Sequence, residues 1–160
     1  MNPYRSYLGE RDPLAVLGET PPRIRELVAK LGPDGLERSY APGKWTARQI
    51  IAHLAQVEMM FGTRFRQALT LDDYVVQPFD QEIWMSREPL PEAATALEAL
   101  CAMRQWNLAL FRSLSPDDRA RTFSHPERGV QSVDWMLELL AGHDLNHLTQ
   151  LEIIASPPAQ

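Results

Sequence analysis

His143-Asp144-Leu145-Asn146-His147 sets two imidazoles four residues apart. On a helix that interval puts both rings on one face, about one turn apart, so two ring nitrogens can reach one metal ion. Zinc proteases use the same device in a helical His-Glu-x-x-His. Here the residue after the first histidine is Asp144, whose side chain is expected to point away from the pair. The spacing alone is a weak signal. It gains weight because His143 and His147 fall on an apolar stripe, and a third histidine, His53, falls on the apolar stripe of another segment. A neutral histidine is tolerated inside a protein when its ring nitrogens are satisfied. One metal ion would satisfy all three rings, and three separate histidines with hydrogen bonds of their own would give the same pattern. Three neutral imidazoles would leave the full charge of a divalent ion in place and a fourth position open. Such an ion can activate water and polarise a carbonyl, or accept a thiolate.

Supporting groups follow from position. Glu82, Asp80 and Glu127 lie in long connections and are the acids available as a general base, Glu82 first among them, although a solvated loop acid or a helix cap is the simpler role for each. Gln56 lies one turn beyond His53 and Gln150 one turn beyond His147, where either orients a ligand, lines a pocket or forms a plain polar edge. Trp84 is the candidate pocket wall. His125 precedes Pro126 in a loop, and no ligand role is assigned to it. Cys101 reads as a small core residue, Met59-Met60 as core packing, and Trp45, Trp84, Trp106 and Trp135 as anchors for helices and loops.

These side chains need rigid elements to hold them, and four helical patterns are available. The first starts at Thr20-Pro21, carries Ile24, Leu27, Val28 and Leu31, and ends at Gly32-Pro33; a short turn precedes it at Asp12-Pro13. The second opens on Thr46-Ala47-Arg48-Gln49, a capping box, and places Ile50, His53, Leu54, Val57, Phe61 and Phe65 on one face as far as about Leu69. The third runs from Pro91 to about Leu114, with Ala94, Leu97, Leu100, Cys101, Leu108 and Phe111 inside and Arg104 and Arg112 outside. The fourth is capped by Ser132, carries Met136, Leu139, Leu140, His143, His147, Leu151 and Ile154, and is stopped by Pro157-Pro158. Asp80-Gln81-Glu82-Ile83-Trp84 and Ser115-Pro116-Asp117-Asp118 signal short helical turns in the connections. Asp73-Tyr74-Val75-Val76 is too short and isolated to count as a strand. Four amphipathic helices must bury their stripes against one another, which gives an all-α four-helix bundle with a long crossover, as one domain over 1–160.

Composition sets outer bounds. The chain has 160 residues, 44% of them hydrophobic and 23% charged, an ordinary globular balance. A net charge of −5 without a basic stripe argues against nucleic acid. No apolar run is long enough to span a membrane, and the first residues lack the apolar core of a signal peptide, so a cytoplasmic location is expected. With Cys101 alone, neither an intrachain disulfide nor a cysteine-based zinc site can form.

Trp45-Thr46-Ala47-Arg48-Gln49-Ile50-Ile51-Ala52-His53-Leu54 resembles the start of the second helix in the DinB/YfiT-like superfamily, where a tryptophan and a capping threonine or serine precede a metal-binding histidine. His143-Asp144-Leu145-Asn146-His147 resembles the last-helix His-x-x-x-His of that group. The stretches Phe123-Ser124-His125-Pro126-Glu127-Arg128-Gly129 and Pro78-Phe79-Asp80-Gln81-Glu82 are similar to its YfiT-like branch. The likeness runs from about Pro13 to Ile154. It implies a four-helix bundle with a long crossover and one divalent metal, typically zinc or nickel, held by His53, His143 and His147. It also implies a homodimer and a small-molecule substrate. Members are described as metal-dependent hydrolases, and some relatives transfer a low-molecular-weight thiol to an electrophile. A metal-dependent hydrolase is therefore the first expectation, a thiol S-transferase the second, and a non-catalytic metal-binding dimeric bundle the third. The sequence departs from the group at Asn146, where many relatives carry a further histidine, and at Gln56, where many of the DinB branch carry an acid.

Overall fold

The computed structural model describes residues 2–156. Its elements are α1 (Arg5–Leu8), α2 (Pro13–Leu36), α3 (Ala47–Thr70), α4 (Gln81–Arg87), α5 (Ala93–Ser113), α6 (Pro116–Ala120), β1 (Thr122–His125), β2 (Gly129–Ser132) and α7 (Val133–Ala155). The four long helices α2, α3, α5 and α7 form the bundle. Helix α2 packs on α7 and α5, and α3 packs on α5 and α7, so α2 and α3 lie largely across the bundle from each other. The two histidine-bearing helices, α3 and α7, are neighbours. No helix among the described residues is long and apolar enough to cross a membrane.

The helix starts follow local chemistry. Thr46 Oγ1 accepts from Gln49 N, and Gln49 Oε1 accepts from Thr46 N, the reciprocal box expected from their spacing. Ser132 Oγ accepts from Trp135 N at the head of α7. Asp80 Oδ1 accepts from Glu82 N and Ile83 N at the head of α4, and Ser115 caps α6. The stop at Pro157-Pro158 lies outside the described residues.

The first helix departs from expectation. It begins at Pro13, capped by Asp12, and runs through Pro21 and Pro22 instead of starting there. Proline lacks the N–H that the carbonyl four residues back would accept. Arg104 of α5 supplies that bond to the Leu17 carbonyl at 3.0 Å, while Thr20 Oγ1 donates to Val16 O. The break expected at Gly32 is present: its φ of 61° interrupts the helix before a last turn to Leu36.

A second departure is a hairpin. Thr122–His125 pairs antiparallel with Gly129–Ser132. Its edge receives Tyr74-Val75-Val76, since Ser124 N donates to Tyr74 O and Val76 N donates to Ser124 O. The segment set aside as isolated is thus tied down by a partner about fifty residues on, through polar strands of which Phe123 alone is buried.

Two apolar clusters fill the bundle. One gathers Phe61, Phe65, Phe111, Met136 and Leu140 with the hairpin's Phe123; the other gathers Ile24, Ile50, Leu54, Leu97, Leu100 and Leu151. Phe65 and Phe111 meet with ring centroids 4.3 Å apart, and burying each such ring contributes roughly 1.5–3 kcal/mol. The stripes expected on α3 and α7 are buried, apart from the half-buried Leu139. On α5, Ala94 is exposed and Arg104 is buried at 1% exposure, the reverse of expectation. Met59 and Trp106 are also exposed rather than core, at 47% and 71%; Trp106 carries the Arg66 guanidinium on its ring face.

Arg104 can be buried because it is fully paired. It donates to Glu58 Oε2 of α3 and Asp144 Oδ2 of α7 as well as to the Leu17 carbonyl of α2. Asn107 donates to Glu58 Oε1, and Gly62 leaves room for it, since a Cβ there would lie 2.7 Å from the Asn107 amide. Burial works against the Arg104 charge, but Asp144 and Glu58 outweigh it and hold its pKa above the ordinary value. One side chain on α5 therefore joins all the other long helices.

Candidate metal centre

His53 sits two turns into α3, and His143 and His147 sit one turn apart on α7. Their Nε2 atoms converge. His143 Nε2 lies 3.0 Å from His53 Nε2 and 3.1 Å from His147 Nε2, and one ring nitrogen from each residue falls within 4.8 Å of the others. All three residues are buried, His53 completely. Burial, reinforced by the neighbouring His147 ring, pushes His53 down to about 3. Burial also holds His143 well below its usual value, with His147, His53 and Arg104 adding to it. His147 is lowered by burial, partly offset by Gln150 and Asp144. Three neutral rings therefore face one point near neutral pH.

Hydrogen bonds alone do not satisfy this cluster. Gln150 Oε1 lies 2.8 Å from His147 Nδ1 and can only accept, so Nδ1 carries the proton and Nε2 presents a lone pair. A single proton on His143 Nε2 cannot serve both neighbours well. A cation at the shared point would take all three lone pairs, so the donor set fits a metal ion. His53 Nδ1 and His143 Nδ1 have no partner among the described residues in either case.

Aromatic rings enclose the cluster. Trp45 packs on His53 at 4.8 Å, Phe79 stacks on it at 6.3 Å, and Tyr4 meets His143 edge-on at 5.3 Å. Tyr4 gave no periodic signal in the sequence. Its trace there is Gly142, where a Cβ would stand 2.6 Å from the Tyr4 carbonyl. A helical glycine beside a candidate ligand is what lets the N-terminal segment lie against α7.

Two cavities border the histidines and share Tyr4 and Gln81. The first, about 470 Å³, includes His53, His143, Phe79, Arg64, His125 and Arg128. The second, about 280 Å³, includes His147, Gln150, Glu82, Trp45 and Asn146. A larger groove of about 580 Å³ between α2 and α7 contains none of the histidines, and its Arg11, Glu19, Arg23 and Glu152 are paired with one another.

The remaining sequence candidates divide. Glu82 lies on the His147 side, and Gln150 touches the His147 ring. His125 lies on the wall of the first cavity. Gln56 turns away: it donates to Glu88 Oε2 at 2.9 Å and borders a separate apolar groove with Met59 and Met85. Trp84 packs edge-on against Phe79 at 4.8 Å, and Phe79 is the ring that faces His53. Asp144 points away from the histidine pair as expected, but into the buried bond with Arg104.

The burial of neutral rings has a consequence for stability. Unfolded histidines take up protons below about pH 6.5, whereas burial lowers the pKa of all three folded rings, His53 to about 3 and His143 well below its usual value. Chelator-treated protein is therefore expected to lose stability as pH falls from 6.5 toward 3, with His53 alone contributing a loss of about 2 kcal/mol by pH 5. Melting temperatures between pH 7.5 and 5 measure this, and His53→Leu should flatten the slope. Equal slopes for the two proteins would contradict it.

A family model described as "DinB superfamily" matches residues 17–151. A protein of Oceanobacillus iheyensis named "Putative metal-dependent hydrolase" is 34% identical over 137 residues, covering 83% of this chain and 78% of that protein. The Bacillus subtilis protein YfiT, given the same description, is 26% identical over 141 residues, covering 86% and 79%. The solved structure of YfiT, described as "a probable metal-dependent hydrolase with an unusual four-helix bundle topology", superimposes with a TM-score of 0.82 at 26% identity, covering 89% of this chain and 83% of that one.

Proposed function

Because the chain belongs to the DinB superfamily, we propose that it is a metal-dependent hydrolase of a small molecule, with His53, His143 and His147 as ligands of one divalent ion. The observation that carries this reading is the meeting of three buried Nε2 atoms where two cavities adjoin. The names of its relatives supply the reaction class. Imidazole donors suit zinc or nickel. Such an ion supplies Lewis acidity toward a water molecule and a substrate carbonyl.

The chain's own residues do the rest. Gln150 fixes the His147 tautomer that offers Nε2 inward. Trp45 and Phe79 shield His53 from bulk water. Burial raises the Tyr4 pKa, with Arg128 acting against it, so the phenol stays protonated and can donate to a substrate oxygen. Asp80 is engaged as the cap of α4. Glu82, which lines the same cavity as His147 and Gln150, is the carboxylate offered to take a proton from water.

The test is a screen of metal-loaded protein against ester and amide substrates. With a substrate in hand, Glu82→Gln is expected to lower kcat by roughly a hundred- to ten-thousand-fold with unchanged metal content. Unchanged kcat would remove Glu82 from the mechanism. Turnover that requires an added thiol would assign thiol transfer instead of hydrolysis. Absence of both would leave a metal-binding bundle.

A further inference from the structure

The larger cavity beside the histidines carries a set of donors that the proposed hydrolysis does not use. Arg64 of α3, Arg128 of the β1–β2 turn and His125 of β1 all lie on its wall. Arg64 is held in place, donating to the Gln77 carbonyl and lying over the Phe61 ring. Arg128 sits on a pinned turn: its N–H donates to His125 O, and its carbonyl accepts from Gln131. Among the described residues neither guanidinium pairs with a carboxylate, as is true also of Arg25, Arg38, Arg66, Arg87 and Arg112, but only these two share the wall of this cavity. His125 Nδ1 accepts from Glu127 N, so the neutral ring carries its proton on Nε2. Burial lowers the His125 pKa, Arg128 and Arg64 lower it further, and Glu127 acts against them.

We propose that Arg64, Arg128 and His125 form an oxyanion subsite that binds the carboxylate or phosphate of a small-molecule substrate, with the substrate's apolar part against Phe61, Phe79 and Leu139. The proposal rests on the reading that the adjoining histidines are where the substrate reacts. Two guanidinium groups and one ring N–H offer only donors, and planar guanidinium forks match oxyanions. Two acids share the cavity. Asp80 accepts from two backbone N–H groups at the head of α4, and Glu127 is exposed at the turn. They leave the arginines unpaired. The cavity is large enough for a small organic acid with an apolar body.

Calorimetric titration of the full chain, metal-loaded and chelator-treated, tests this with three probes: phenylacetate, phenyl phosphate and the neutral 2-phenylethanol. At least one anion should bind about ten-fold or more tightly than the alcohol in both forms, and the better one identifies the preferred headgroup. Arg128→Gln and Arg64→Gln should each weaken that anion about ten-fold and leave the alcohol unchanged. Arg128 is exposed on a turn, so its replacement reads binding without disturbing the core. Equal binding of acid and alcohol, or anion binding indifferent to both substitutions, would overturn the subsite. Anion binding that needs the metal and ignores the arginines would also overturn it, and would leave the metal reading standing. Arginine-dependent anion binding in a protein that takes up no metal would do the opposite.

Discussion

Replacing His143 by alanine is expected to leave the protein without stoichiometric metal. Its Nε2 is the central one of the three, 3.0 and 3.1 Å from the others, so its removal takes away the atom that brings the remaining two to a common point. A tightly held structural zinc is worth roughly 10–16 kcal/mol over its ligand set. One ligand's share then corresponds to a loss of affinity of about a hundred-fold or more. Gln150→Ala gives the graded control. It keeps every ligand and removes only the acceptor that fixes the His147 tautomer, so a loss of roughly ten- to a hundred-fold is expected. Metal content by elemental analysis, followed by competition with a chelator, ranks wild type above Gln150→Ala above His143→Ala. Equal metal and equal affinity in all three proteins would remove His143 from the ligand set and Gln150 from its support.

What could be read in advance separates by the range of the interaction. Helix α3 was legible to its cap because the Thr46–Gln49 box is local, and its stripe through His53 follows a plain helical period. The convergence of His53 with His143 was legible for a related reason: both lie on apolar stripes, and a bundle has one interior. Long-range events were hidden. Thr20-Pro21 reads as a helix start because proline suits the first helical position, where its missing donor costs nothing. The donor that rescues the Leu17 carbonyl comes from Arg104, eighty-seven positions on. Arg104 itself was placed outside on charge, although it stands four residues from both Leu100 and Leu108 on the buried stripe of α5. The hairpin strands bury Phe123 alone and so left no alternating signal, and the Tyr74–Val76 edge, whose Tyr74 and Val76 are buried, is too short to show one. Tyr4 approaches the site across the gap at Gly142, and only the glycine could have hinted at it.

The chain is expected to lose about 3–5 kcal/mol of stability on Arg104→Ala, the largest single loss predicted for any side chain discussed. The reason is what the substitution leaves behind. Glu58 and Asp144 are 0% and 1% exposed, and without the guanidinium two carboxylates would stand in the interior with no cation between them. The Leu17 carbonyl, already deprived of a helical donor by Pro21, would lose its substitute as well. Urea denaturation measures the loss, and a change under 1 kcal/mol with an unchanged slope would contradict it. Arg104→Lys should fall in between, since an ammonium keeps the charge but cannot reach three acceptors as a fork does. The decisive comparison is the combined Glu58→Leu, Arg104→Met, Asp144→Leu protein. Removing every charge removes the desolvation cost along with the attraction, so its stability is expected to return close to wild type. If the combined variant is as unstable as Arg104→Ala, lost packing rather than unpaired charge is responsible. If it is stable yet binds metal more weakly, the network serves the histidines. Glu58 and Asp144 ride on the two helices that carry the imidazoles, and Arg104 bonds to both of them.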